Sequence, residues 1–331
     1  MYKRQIHDIP KVYAVQLIDK RQLIESTSGG MFTAVAGYVF DRRGVVFGAV
    51  YDENMQVKHT MAENMTELAP MRGSKYIQSD ISECYFMIKK QLNEGRLVLF
   101  SGLPCQVAGV YAFLGKRYDN LITMDLICSG VPSQRLFDSY IKYIEKKNKI
   151  KILDYKFRDK HKYGLSHTVV ITYKRKNGNI KTKTIKDRTT VSYYVAFGKQ
   201  NCFMDTCYNC KYNSIRRISD MTVGGFWSIG KTESKLNEKE GVSLVLANTD
   251  KAIEIIKSLK GIALIEEHSI DIAVIGNNAL VQQTDKNKKD DDLYNDLSAK
   301  GYKKTSARHF KRRNCLYKIA GKLYRMIKNQ Q

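Results

Sequence analysis

Apolar residues are spaced along the first half of the chain in two alternating rhythms. Val12–Ile18 alternates as a half-buried strand does, and Gly29–Phe40 then predicts a helix, apolar at Met31, Phe32, Val35, Ala36 and Val39. Val45–Tyr51 and Val57–Ala62 predict strands, and Ile81–Asn93 an amphipathic helix. Leu97–Ser101 is a continuous apolar run, read as a buried strand, followed by a helix over Gln106–Leu114. Leu121–Ile127 predicts a further strand and Pro132–Lys146 a further helix. Strands alternating with helices argue for an α/β (α+β) fold with a mixed, partly parallel sheet and flanking helices.

The rhythm changes after Ile150. Ile152–Phe157, Thr168–Tyr173 and Lys181–Ile185 predict an antiparallel insertion over about residues 150–190, with Lys176-Asn-Gly as a hairpin turn. Val191–Phe197 predicts a helix. Val242–Asn248, Ala252–Leu259 and Ile262–Glu267 predict strand, helix and strand. Residues 1–285 are therefore expected to form the main domain. Residues 286–331 are expected to form a charged linker, Lys286–Asp292, and a C-terminal basic helix. On that helix Leu316, Ile319, Leu323, Met326 and Ile327 share one face, while Lys318, Lys322, Arg325 and Lys328 fall largely on the other. The expectation is a weak peripheral contact with the inner face of a membrane, weighed evenly against docking on the protein's own core.

The 331 residues are 43% hydrophobic, enough for a substantial core, and no apolar run approaches the length of a membrane span. The first residues lack the apolar stretch of a signal peptide, so a cytoplasmic location is expected. The seven cysteines are then expected to be reduced or metal-bound. The net charge of +23 suits an anionic cofactor, an acidic partner or a membrane surface. Residues 301–331 carry ten Lys or Arg and no Asp or Glu. Nucleic acid is not expected, because no zinc-finger spacing, RNA-recognition signature or helix-turn-helix cue is present.

Cys207-Tyr-Asn-Cys210 carries the most specific chemistry. A Cys-x-x-Cys pair can hold a metal or act as a redox dithiol, and it supplies half of a four-thiolate site. Cys105 and Cys128 each lie just past an apolar strand, where side chains of parallel strands converge on one sheet edge. Spacing leaves zinc and iron–sulfur open. Cys202-x4-Cys207-x2-Cys210 also has the plant-type ferredoxin spacing. Cys84 and Cys315 read as plain residues. Ser28-Gly29-Gly30 before a helix can admit a phosphate, and Gly73-Ser-Lys-Tyr76 adds a hydroxyl, an ammonium and a ring. Two glycines before a helix are usually just a turn, and a loop such as Gly73–Tyr76 is as often an ordinary one.

Nine segments in order resemble the coenzyme F420 hydrogenase/dehydrogenase beta-subunit family, over roughly residues 10–250. They are Pro10-Lys-Val-Tyr-Ala14, Ser28-Gly-Gly-Met-Phe-Thr33, Gly73-Ser-Lys-Tyr76, Leu99-Phe-Ser-Gly-Leu-Pro-Cys-Gln106 and Asp125-Leu-Ile-Cys128. Phe157-Arg-Asp-Lys160, Cys207-Tyr-Asn-Cys210, Arg217-Ile-Ser-Asp220 and Gly241-Val-Ser-Leu-Val245 complete them. The resemblance implies a flavin-dependent iron–sulfur oxidoreductase. It implies one [4Fe–4S] cluster on Cys105, Cys128, Cys207 and Cys210, with Cys202 a neighbour, and FAD near Ser28, Gly29, Gly30, Thr33, Ser74, Lys75 and Tyr76. Arg217, Asp125 and Asp220 are expected beside the cofactors, tuning them, and Arg158 and Lys160 near an anionic substrate or cofactor.

Many relatives begin with a ferredoxin-like module, and residues 1–9 hold no cysteine. A separate ferredoxin-like or flavodoxin-like donor is therefore expected to reduce the cluster, with electrons passing through FAD to a small-molecule substrate. Bacterial relatives look associated with cell-surface polysaccharide synthesis. No Gly-x-Gly-x-x-Gly follows a strand, so a nicotinamide site has no support. The sequence departs from the family pattern at Ser129, where His is usual, at Gly225, where Asp is usual, and at Leu165, where Trp is usual. The rival reading is a non-catalytic module, stabilised by zinc, that binds a protein or membrane partner.

Overall fold

The computed structural model describes residues 6–165, 168–286 and 292–310. The chain begins with β1 (Lys11–Leu17), α1 (Lys20–Glu25), α2 (Met31–Phe40), β2 (Val45–Tyr51), β3 (Val57–Ala62) and α3 (Met65–Leu68). It continues with α4 (Cys84–Asn93), β4 (Val98–Gly102), α5 (Pro104–Leu114), β5 (Leu121–Leu126) and α6 (Gln134–Asn148). The insertion is β6 (Ile150–Asp159), β7 (Thr168–Arg175) and β8 (Ile180–Ile185), followed by α7 (Ser192–Lys199). Then come β9 (Met221–Gly225), β10 (Ser243–Ala247), α8 (Asp250–Ser258), β11 (Ala263–His268), α9 (Ile270–Val274) and α10 (Leu293–His309).

The main sheet has eight strands in the order β11-β1-β10-β9-β5-β4-β2-β3. Its middle, β2, β4, β5 and β9, is parallel. Both flanks are antiparallel. Central strands such as β10 are buried throughout and mostly apolar because both faces are covered. On one face α2 buries Met31, Val35 and Val39 against Val15, Val46 and Leu99. On the other, α4 and α5 bury Ile88, Val107 and Val110 against Phe47 and Phe100.

The insertion folds as a separate three-stranded antiparallel sheet in the order β6-β7-β8. Its hairpin turns at Gly178, whose φ of 85° suits glycine. The inner face packs on α6 and α7 through an aromatic cluster of Phe137, Tyr140, Tyr155, Phe157 and Tyr193. Phe137 meets Tyr155 edge-on, with centroids 5.5 Å apart, the arrangement that ring quadrupoles favour.

The mixed sheet and the insertion agree with the sequence reading. One strand has no counterpart in it. β9 has only Met221, Thr222 and Val223 before two glycines, too short for a periodicity to register. It joins the parallel half of the sheet to the antiparallel half. Within the expected tail, α10 turns at Gly301 (φ 69°) and fastens Asp296 to Lys300, Arg308 and His309. The expected apolar face from Leu316 to Ile327, and Cys315, lie outside the described residues. Among the described residues no helix is long and apolar enough to cross a membrane.

Candidate functional site

Parallel pairing brings the C-terminal ends of β4, β5 and β9 to one edge. Cys105 follows β4 in the first turn of α5, behind Pro104, a residue suited to that position because it has no N–H to leave unpaired. Cys128 follows β5, where the Ile127 N–H donates to the Val223 carbonyl at 3.0 Å. Cys207 and Cys210 arrive on a loop fastened to the same place. The Met204 N–H donates to the Val131 carbonyl at 3.0 Å, and Phe203 bridges Pro132. Asn213 donates to the Cys128 carbonyl at 3.1 Å, and Gln283 to the Cys210 carbonyl at 2.9 Å. Gly130, at φ 135°, lies against the Phe203 ring, which a β-carbon there would strike at 2.3 Å.

These four cysteines fall within electrostatic reach of one another. Burial first, and then Cys207 and Cys210, push the Cys105 thiol up. Burial, with Cys207, Cys105 and Cys210 adding, pushes the Cys128 thiol up to about 12. Burial favours the protonated form of Cys105, Cys128 and Cys207, and a bound cation would favour the thiolate. Among the described residues no three or more His, Cys, Asp or Glu stand close enough to hold a single metal ion. Thiolates of this kind bind zinc and iron–sulfur clusters alike.

Cys202 belongs elsewhere. It is buried in the aromatic core beside Tyr193, Tyr208 and Tyr294. The Cys84 thiol, also buried, donates to the His59 carbonyl at 3.2 Å.

Arg217 and Asp125 form a fully buried ion pair at 3.1 Å behind Cys128. The same guanidinium donates to the Leu126 carbonyl at 3.0 Å and to the Tyr212 carbonyl. It thus ties the loop after Cys210 to the end of β5. Asp220 sits further back. It accepts from the Thr123 N–H at 2.8 Å and the Thr249 hydroxyl at 3.1 Å, fastening β9 into the sheet. These hydrogen bonds make Asp220 a strand fastening.

The two loops read as a flavin site do meet: the Ser74 N–H donates to the Thr27 hydroxyl at 3.1 Å. Their residues divide into two kinds. Ser28 donates to the Val242 carbonyl at 2.6 Å, and its own carbonyl accepts from Lys160 at 2.8 Å. A β-carbon on Gly29 would lie 1.9 Å from the Val15 carbonyl oxygen, so this glycine serves close packing of α2 on β1. Gly30 begins α2 at φ 90°, and Thr33 is buried against the Ser26 hydroxyl. Gly73, at φ 84°, faces open space. Next to it, Lys75 directs its ammonium at the carbonyls of Pro70, Arg72 and Gly73, at 2.9 to 3.3 Å. Burial pulls its pKa down to about 8. Tyr76 stacks on Phe197, with centroids 4.3 Å apart.

Sequence reasoning assigned no role to His59 or Trp227. His59 is buried on β3, bonded through Nε2 to the Ser101 carbonyl at 2.9 Å, with Nδ1 unpartnered. Burial holds it neutral, with its pKa lowered to about 4. A histidine between apolar strand residues gives no signal until its neighbours are known. Trp227 lies half-exposed under the Arg158 guanidinium, 4.8 Å from the ring centroid. Gly225 makes room for that ring, which a β-carbon would meet at 2.9 Å.

Among curated proteins none matches the chain. Of solved structures, the F420-reducing [NiFe] hydrogenase complex from Methanosarcina barkeri contains a chain of similar fold. The TM-score is 0.50 and the identity 16%, over 93% of this chain and 92% of that one. At that identity the likeness is one of fold. Residues 95–272 match the family described as the C terminus of the Coenzyme F420 hydrogenase/dehydrogenase beta subunit. The matched stretch takes in Cys105, Cys128, Cys207 and Cys210 and more than half of the sequence, and the chain belongs to that family of oxidoreductases.

Proposed function

We propose that the chain is an iron–sulfur flavoprotein oxidoreductase. It would hold a [4Fe–4S] cluster on Cys105, Cys128, Cys207 and Cys210, and FAD beside it. Electrons would come from an acidic ferredoxin-like or flavodoxin-like donor and leave to a small-molecule substrate. When bound, the cluster and flavin supply one-electron transfer and its coupling to electron pairs. The observation that carries the reading is the convergence of four thiols from three separate segments on one sheet edge. The rival reading is a structural zinc module on the same thiols.

The protein's own groups have definable parts in this reading. Arg217 and Asp125 hold the segment after Cys210 against the end of β5. Lys75, charged at neutral pH, presents a desolvated cation to an anionic group of the flavin, its phosphates or its reduced ring. His59, neutral at the same pH, offers a hydrogen-bonding nitrogen without charge. The buried Phe226 and the half-exposed Trp227 directly follow the C-terminal end of β9. The net charge of +23 suits docking of an acidic donor.

The organisation that goes with this reading is a main domain at 1–285, with the insertion at about 150–190, and a basic tail at 286–331. A cytoplasmic location, peripheral contact with the inner membrane face and a part in cell-surface polysaccharide synthesis complete the proposal.

The test is anaerobic purification with reconstitution by iron and sulfide. Brown protein that releases FAD on acid treatment, and is reduced by a low-potential ferredoxin faster at low salt than at high salt, is the expected result. Colourless protein with stoichiometric zinc supports the rival. Rapid, salt-insensitive reduction by NADH alone contradicts the donor assignment.

A further inference from the structure

The insertion carries a second concave site, remote from the thiols. A groove of about 720 Å³ opens between the C-terminal half of α6 and the inner face of the β6–β7–β8 sheet. That volume lies within the range of small-molecule sites, roughly 300–1,000 Å³. The Cys128 segment leads into the start of α6, and the groove lies toward its far end. The groove's lining begins at Tyr140, six residues along the helix, and includes none of the four cysteines.

Its lining is divided by chemistry. Tyr143, Ile144, Ile171, Ile185 and Val191 contribute apolar and aromatic surface, and Ile171 and Val191 are buried. Lys147, Lys149, Arg175, Lys176 and Lys183 contribute five cations, and no lining side chain is acidic. Lys183 stands on β8 directly opposite Ile171, at a register position facing the floor. Among the described residues none of the five cations has an ion-pair partner. Glu145, on the same helix, turns instead to Lys151 and the Ile152 N–H. Five cations around an apolar floor repel one another, and an anion with an apolar body relieves that repulsion while covering the floor.

We propose that this groove binds a single-chain anionic amphiphile, its phosphate or carboxylate head among the lysines and its apolar chain on the isoleucine floor. The protein's own C-terminal segment is a poor occupant: residues 311–331 include seven Lys or Arg and no carboxylate side chain, so like charges would meet. The proposal does not depend on the redox reading, because the groove shares no residue with the thiols or the Ser28 and Lys75 loops.

Calorimetric titration of the full chain with dodecyl phosphate, kept below its micelle concentration, tests it. The expected result is saturable binding at one site, weakened at least about tenfold in the Lys147→Glu, Lys183→Glu double variant. Both positions are exposed, and an unchanged melting temperature will show that the variant is folded. Neutral dodecyl maltoside and inorganic phosphate should each bind far more weakly, since each offers one half of the recognition. Equal binding of the maltoside, equal binding of inorganic phosphate, or unaltered affinity in the double variant overturns the proposal. Binding only to anionic vesicles and not to the monomer overturns it too, in favour of a flat membrane surface.

Discussion

Replacing Lys75 with methionine separates a residue kept for a ligand from one kept for the fold. Burial, with Asp154 working the other way, lowers the Lys75 pKa from 10.5 to about 8. At ~1.4 kcal/mol per unit, a shift of that size caps the penalty for holding the charge near ~3 kcal/mol. Water reaches part of the side chain, which cuts the cap to roughly 1–2 kcal/mol. Its carbonyl contacts return about 1 kcal/mol. The ligand-free Lys75→Met variant should therefore match wild type at pH 7, or exceed it by up to ~1 kcal/mol, in urea unfolding. At pH 7 the lysine is protonated in both states, so the penalty is fully present. As pH rises from about 8 to 10.5, the folded state loses its proton before the unfolded state does, and the penalty fades. Wild type should gain on the variant across that window. FAD retention should move the other way, falling about tenfold or more with the loss of a charge-assisted contact. A variant that is destabilised by more than ~1 kcal/mol yet holds FAD as wild type does would refute this reasoning.

Three further outcomes follow from the same geometry. Arg217→Met leaves Asp125 buried without its partner and should cost about 3–5 kcal/mol in denaturant unfolding, largely recovered by adding Asp125→Leu. Gly29→Ala sets a β-carbon against backbone on two strands, at 1.9 and 2.4 Å, and should cost the upper part of ~1–3 kcal/mol by melting temperature, whether or not cofactors are bound. His59, with its folded pKa near 4 against an ordinary 6.5, favours the unfolded state as pH falls through that interval. Urea midpoints should drop between pH 6.5 and 4 in wild type and drop less in His59→Phe.

The sheet was legible because its strands are apolar runs closed by turn residues, and its helices alternate with them. β9 was hidden by its two glycines, and α1 by its six residues. The convergence of Cys105 and Cys128 could be read from their places after parallel strands. That Cys207 and Cys210 join them came from the family resemblance alone, because it depends on the Met204–Val131 hydrogen bond and the Phe203–Pro132 bridge, contacts across about seventy residues of chain. Ser28, Gly29 and Gly30 were visible as a turn before a helix. Only the packing shows that Gly29 is taken up by β1 and β10, while Gly73 keeps an open face. Asp220 looked like a companion of the cysteines because it is close in sequence, yet its hydrogen bonds run to Thr123 and Thr249. No role for Trp227 could be read from the sequence, because its place under Arg158 required the insertion to be folded.

The most direct measurement is iron and acid-labile sulfide per chain after anaerobic reconstitution, across single cysteine-to-serine variants. Wild type, Cys84→Ser and Cys202→Ser should each hold about four iron and four sulfide. Cys105→Ser, Cys128→Ser, Cys207→Ser and Cys210→Ser should each lose most of both, together with the broad visible absorption. Loss of the cluster in Cys202→Ser with full retention in Cys105→Ser, or zinc in place of iron throughout, would contradict the account.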